Sequence, residues 1–139
     1  MAATAHRTRQ SIVEALETKG DAISWRFAHA DAIEAGREAE RFHRQTLMPL
    51  ADKKSWTDEE LARLMDLEYR YQDMSRFSRM LMDGLMARPA PDLAALLWKL
   101  EYLFGGKGGL AFPEGMPEPM VSAVMADARR LLGRDGETA

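Results

Sequence analysis

Residues 55 to 82 read SWTDEELARLMDLEYRYQDMSRFSRMLM, and the spacing of their apolar side chains decides the fold. Leu64, Leu67, Tyr71, Met74, Ser78, Leu81 and, beyond the quoted run, Leu85 recur at alternating intervals of three and four. That is the period of one helical face, and neither Gly nor Pro interrupts it before Gly84. The start is equally plain. Thr57 and Glu60 form a T-x-x-E capping box, and Asp58 and Glu59 complement the dipole of the first turn. Trp56 and Leu61 stand at the positions of a hydrophobic staple. The pattern predicts a helix of roughly 40 Å with a heptad-like seam along one side.

A partner seam lies upstream. Trp25, Ala28, Ala32, Ala35, Ala39 and Phe42 also alternate intervals of three and four, a row of small residues closed at each end by an aromatic. Small side chains let a second helix approach closely, so the two seams predict a long antiparallel hairpin. The upstream helix is expected to begin near Asp21 and to end near Leu47, ahead of Pro49. A shorter helix, from about Arg7 to Thr18, would precede it with Ile12, Ala15 and Leu16 on one side, stopped by Lys19-Gly20-Asp21.

Downstream, Pro89 halts the long helix and Pro91 suits the first turn of the next. Its apolar face is read as Leu93, Leu96, Leu97, Leu100, Leu103 and Phe104. A last helix, from about Pro119 to Leu132, would turn Met120 or Val121, Val124, Met125, Ala128, Leu131 and Leu132 inward, with Gly133 as its terminator. The expectation is an all-α bundle of four to five helices in a single domain over residues 1–139. Frayed ends are expected at about 1–7 and 134–139, and a flexible loop at about 105–117.

Composition agrees with this class. Val, Ile and Thr together number only 12 among 139 residues, too few sheet formers for a β-rich fold. Acidic residues number 22 against 19 basic ones with the signs interspersed, so no gross charge footprint marks nucleic acid or an anionic membrane as partner. Cysteine is absent, which excludes disulfides, thiolate metal sites and a cysteine nucleophile. No apolar run is long enough for a signal peptide or a membrane span, and the chain reads as a cytoplasmic protein.

The segment PAPDLAALLWKLEYLF, residues 89 to 104, resembles a stretch found in short uncharacterised helical proteins of alphaproteobacteria, some carried on prophage-like or mobile DNA. The resemblance implies a bacterial accessory protein and brings no activity, cofactor or site. SWTDEELARL, residues 55 to 64, is similar to the opening of Myb-type DNA-binding repeats. That family packs three short helices between spaced tryptophans, whereas here one helical pattern runs past Met82; the capping box explains the same residues.

Several groups of residues are candidates for function. LFGGKGGL, residues 103 to 110, has the glycines of a phosphate loop but lacks a Ser or Thr after Lys107 and follows a helix instead of a strand, so it reads as a helix stop and connection. Glu40 and His43 have the spacing of a helical di-iron ligand pair, without the second pair such a site requires. Arg37, Arg41 and Arg44 share one helical face with Lys53 and Lys54 following, a candidate contact for an anion or nucleic acid, although Glu34, Glu38 and Glu40 interleave them. Met80, Met82 and Met86 form a methionine-rich stretch able to adapt to a partner. With no catalytic residue, metal ligand set or cofactor motif recognised, the leading expectation is a non-enzymatic interaction or structural protein that binds a protein partner or itself as a homodimer. A nucleic-acid-binding regulator and a helical-bundle metal protein are the alternatives.

Overall fold

The computed structural model describes residues 9–104 and 118–137 and is all-α. Helix α1 spans Arg9–Phe42 and continues through a π-helical segment, His43–Leu47, into the single turn α2, Met48–Ala51. Helix α3 spans Asp58–Ala87, α4 Leu93–Phe104 and α5 Glu118–Glu137. Among the described residues no helix is long and apolar enough to cross a membrane. The Gly105–Gly109 run, the rest of the segment read as a loop over 105–117, and residues 1–7 lie outside the described residues.

The chain forms two compact units. One comprises residues 28–85, the other residues 1–27 together with 86–139.

In the unit of residues 28–85, the later part of α1 packs antiparallel against α3, as the two seams predict. Ala32, Ala35 and Ala39 are buried, as are Leu67 and Leu85, and every other member of the α3 seam is at least half-buried. The antiparallel order is visible in three contacts. A Cβ at Gly36 would lie 3.5 Å from Ser78 Oγ, the Arg70 guanidinium sits 5.6 Å above the Phe42 ring, and the His43 and Tyr71 rings are 4.7 Å apart. Small residues on α1 and a serine on α3 permit this approach, so alanine contributes to the core by what it leaves out. The capping box forms as expected: Glu60 N–H donates to Thr57 Oγ1 and Thr57 N–H to Glu60 Oε1, both at 3.1 Å. The Lys53 ammonium donates to Glu60 as well and is the main reason the Glu60 carboxyl is held below its ordinary range, with the Thr57 N–H second. The staple takes a different form. Leu61 is exposed, and the half-buried Trp56 instead donates its indole N–H to Leu50 O at 2.8 Å.

Three expected breaks are not breaks. Gly20 lies inside α1, and Gly133 inside α5, which runs on to Glu137 through part of the segment read as a frayed end. A helical glycine costs about 1 kcal/mol relative to alanine, less than a continuing helix with favourable neighbours recovers. Pro49 is accommodated because the preceding turn widens: the Met48 N–H reaches back five residues to His43 O. A regular α-turn would drive the proline ring into the carbonyl four residues earlier; a π turn relieves that clash.

In the other unit the core consists of Trp25, Met86, Ala90, Ala95, Leu96, Leu103, Met120 and Val124. The Trp25 and Trp98 rings meet edge to face at 5.9 Å, and Trp98 stacks on Tyr102 at 5.5 Å. Asp92 caps α4, its Oδ1 accepting the Ala95 N–H at 2.9 Å while its Oδ2 pairs with Arg26, also at 2.9 Å. The cap is therefore the aspartate, with Pro91 just ahead of it. The Ala95 N–H holds the Asp92 carboxyl below its ordinary range, opposed by partial desolvation and assisted by Arg26. A lowered carboxyl stabilises the fold above the unfolded-state value, about 3.9, and that contribution disappears as pH falls through the lowered folded-state value. Asp92→Ala is expected to cost about 1 kcal/mol at neutral pH. Thermal midpoints compared between pH 7 and 3 should show the difference from the parent protein shrinking toward the acid end.

Candidate functional site

Helix α4 is rotated relative to the face its leucines predict. Leu96 and Leu103 are buried, but Leu93, Leu97 and Phe104 are more than half exposed, and the buried side includes Ala95 and Lys99. Helix α5 shows the same shift: Met120 and Val124 are buried, Met125 and Leu132 are exposed, and Asp127 is buried. The reason is polar. Lys99 is 0 % exposed, and its three ammonium protons go to Met86 O at 3.1 Å, to Arg88 O, and to Asp127 Oδ2 at 2.6 Å. An ammonium has three donors and no acceptor, so all its hydrogen-bonding capacity is used.

Met86 O belongs to the last turn of α3, where carbonyls have no partner within the helix and where a positive charge is favoured by the dipole. Asp127 completes the cluster from α5. Its Oδ1 accepts the Ala90 N–H at 3.0 Å and Arg130 Nη2 at 2.9 Å, while Arg130 Nη2 also donates to Ala90 O at 2.6 Å. Both backbone groups of the buried Ala90 are thus taken up by α5. A lysine from α4 and an aspartate from α5 together hold the turn that joins α3 to α4. Arg88, at the start of that turn, donates to Ser24 O of α1 at 3.1 Å.

Neither Lys99 nor Asp127 stands out as a functional residue in the sequence, yet a signal was there. Lys99 lies three residues from Leu96 and four from Leu103, and Asp127 three from Val124 and seven from Met120. A charge on the apolar stripe of a helix needs a buried partner. In the same unit a cavity of about 310 Å³ lies beside this turn, bordered by Asp21 and Trp25 of α1, by Arg88 and Pro91, and by Arg130 of α5.

The residues singled out by sequence are dispersed. Met86 is 0 % exposed, which removes it from any contact surface: it closes the core where α3 ends, and its carbonyl serves Lys99. Met80 is exposed and Met82 half-buried. Arg37, Arg41, Arg44, Lys53 and Lys54 are all exposed; Arg44 lies 3.9 Å from Glu40, and Lys53 pairs with Glu60. Glu40 is exposed, whereas His43 is half-buried against Tyr71. Among the described residues no group of three His, Asp or Glu side chains is placed to hold a metal ion.

Further exposed apolar side chains lie on α3. Leu61, Met65, Tyr69, Phe77 and Met80 are each 42 to 64 % exposed. At about 3.6 residues per turn Met65, Tyr69 and Met80 fall on the side of α3 opposite its seam, with Leu61 and Phe77 toward its two flanks. The exposed Asp66, Asp73 and Arg76 lie among them, so the outer side of α3 is mixed, and no regular second period announces it in the sequence. Comparison with family models, with curated proteins and with solved structures finds no match for this chain.

Proposed function

We propose that this chain is a non-enzymatic interaction protein that pairs with a second copy of itself through the outer face of α3. The carrying observation is that Met65, Tyr69 and Met80, flanked by Leu61 and Phe77, are exposed on a helix whose opposite face is already packed. Large apolar side chains left exposed together on one side of a helix are what an interface covers.

Charge favours a second copy as the occupant. On the outer side of α3 the first half carries Asp58, Glu59 and Asp66, and the second half Arg76 and Arg79 against Asp73. Two copies of α3 laid antiparallel about a twofold axis place each acidic half along a basic half, with Leu61 near Met80 of the other copy. An isologous contact of this kind uses one patch twice. A bacterial accessory role, carried with mobile DNA, is the setting that the resemblance of residues 89 to 104 supports.

Size-exclusion chromatography with light scattering tests the pairing. The parent chain is expected at twice its 15.7 kDa mass, and Met65→Glu with Phe77→Lys at one times that mass, with unchanged circular dichroism. Both positions are exposed, so the substitutions leave the core intact. A monomeric parent chain, or a dimer indifferent to both substitutions, would overturn the proposal.

A further inference from the structure

The cavity beside the α3–α4 turn combines three kinds of chemistry. Arg88 and Arg130 supply guanidinium groups, Asp21 supplies a carboxylate, and Trp25, Pro91 and Leu131 supply apolar wall. Its volume, about 310 Å³, lies at the lower end of the range for small-molecule sites.

Both arginines are anchored from behind. Arg130 uses Nη2 for Asp127 and Ala90, and Arg88 uses Nη1 for Ser24 O. A guanidinium has five N–H donors in a rigid fork, so each keeps further donors for a ligand. Arg130 is anchored through the buried Asp127 to Lys99, and this group of two cations and one carboxylate carries an excess positive charge that an anion would balance. Asp21, an exposed carboxylate on the same wall, makes the cavity unsuited to a simple dianion and suited to a molecule carrying both signs.

We propose that this cavity binds a small zwitterion with an apolar side chain, an α-amino acid in chemical class. The carboxylate is received by Arg88 and Arg130, the ammonium by Asp21, and the side chain lies against Trp25, Pro91 and Leu131. This site is separate from the outer face of α3 and does not depend on dimerisation.

Three probes of similar shape separate the contributions: leucine, 4-methylpentanoate, which lacks the amine, and 3-methylbutylamine, which lacks the carboxylate. Titrated into the full-length chain, leucine is expected to shift the Trp25 indole NMR signal saturably and to raise the thermal midpoint. Each truncated probe should bind about tenfold more weakly or worse, the loss of one charge-assisted contact. Asp21→Asn should weaken leucine by a similar factor and strengthen 4-methylpentanoate, from which a like charge is removed, whereas Arg88→Gln should weaken both. Both residues are exposed, so these variants keep the fold, which circular dichroism checks. The proposal is overturned if leucine, alanine and phenylalanine all fail to shift the Trp25 signal, or if binding is indifferent to both substitutions.

Discussion

Asp127→Ala is expected to lower the free energy of unfolding by about 3–5 kcal/mol, because it strands the Lys99 ammonium in the interior with no counter-charge. The same substitution removes the acceptor of the Ala90 N–H and one anchor of Arg130. A loss of this size is a large part of the about 5–15 kcal/mol that stabilises an ordinary domain. Lys99→Met should also destabilise, by about 1–3 kcal/mol for each of the carbonyls of Met86 and Arg88 left without its donor, while Asp127 keeps Arg130 as its counter-charge.

The double variant Lys99→Met/Asp127→Ala distinguishes charge from hydrogen bonding. Removing both charges is expected to recover part of the single-variant loss, since an isolated buried charge costs more than an absent pair. Recovery should be incomplete. Three backbone groups, Met86 O of the last turn of α3 and Arg88 O and Ala90 N–H of the turn after it, lose their partners in the double variant, and a buried unmade hydrogen bond costs about 1–3 kcal/mol. Urea unfolding monitored by circular dichroism reads all four proteins. Near-additive losses would show that Lys99 and Asp127 do not act as a pair.

Trp25→Ala is expected to cost about 3–5 kcal/mol, the range for deleting a large buried aromatic. Trp25 is 4 % exposed and meets Trp98 edge to face, a geometry worth about 0.5–1.5 kcal/mol beyond the buried area. Trp25→Phe keeps an aromatic ring and should recover most of this. Thermal unfolding followed by circular dichroism orders the three proteins as parent, Phe, Ala. An alanine variant as stable as the parent would mean that the first part of α1 does not contribute to this unit's core.

Much of the fold was legible because helical seams are written in local spacing. Leu64 to Leu85 and Ala28 to Phe42 announce two helix faces whatever surrounds them, and the Thr57–Glu60 capping box marks a start that its two hydrogen bonds bear out. Legibility failed where a local penalty was small beside its surroundings. Gly20 and Gly133 each cost a helix about 1 kcal/mol, which reads as a stop in a string of letters and is absorbed in a continuing helix. Pro49 carries a larger penalty, and a π turn from His43 to Leu47 relieves it, an adjustment no single residue announces.

The candidate site was harder to read. Leu93, Leu96, Leu97, Leu100, Leu103 and Phe104 gave α4 an apparent inward face, of which Leu96 and Leu103 are buried, but a helix with apolar residues on most of its circumference does not specify which side turns in. Lys99 decides that side. It can be buried only where acceptors converge, and these come from residues 13, 11 and 28 positions away in the chain.

By itself, then, the sequence determined the helical class, the two facing seams, the capped start of α3 and the absence of any thiol chemistry, because each follows from residue type or from spacing within a few turns. The tertiary structure alone decided that Lys99 and Asp127 are interior, that Met86 is core while Met65, Tyr69 and Met80 are exposed, and that Arg88, Arg130 and Asp21 border one cavity. The physical reason is range. Periodicity reports which residues share a face of one helix, but the burial of a charge depends on partners brought from other helices, and only the folded chain supplies them.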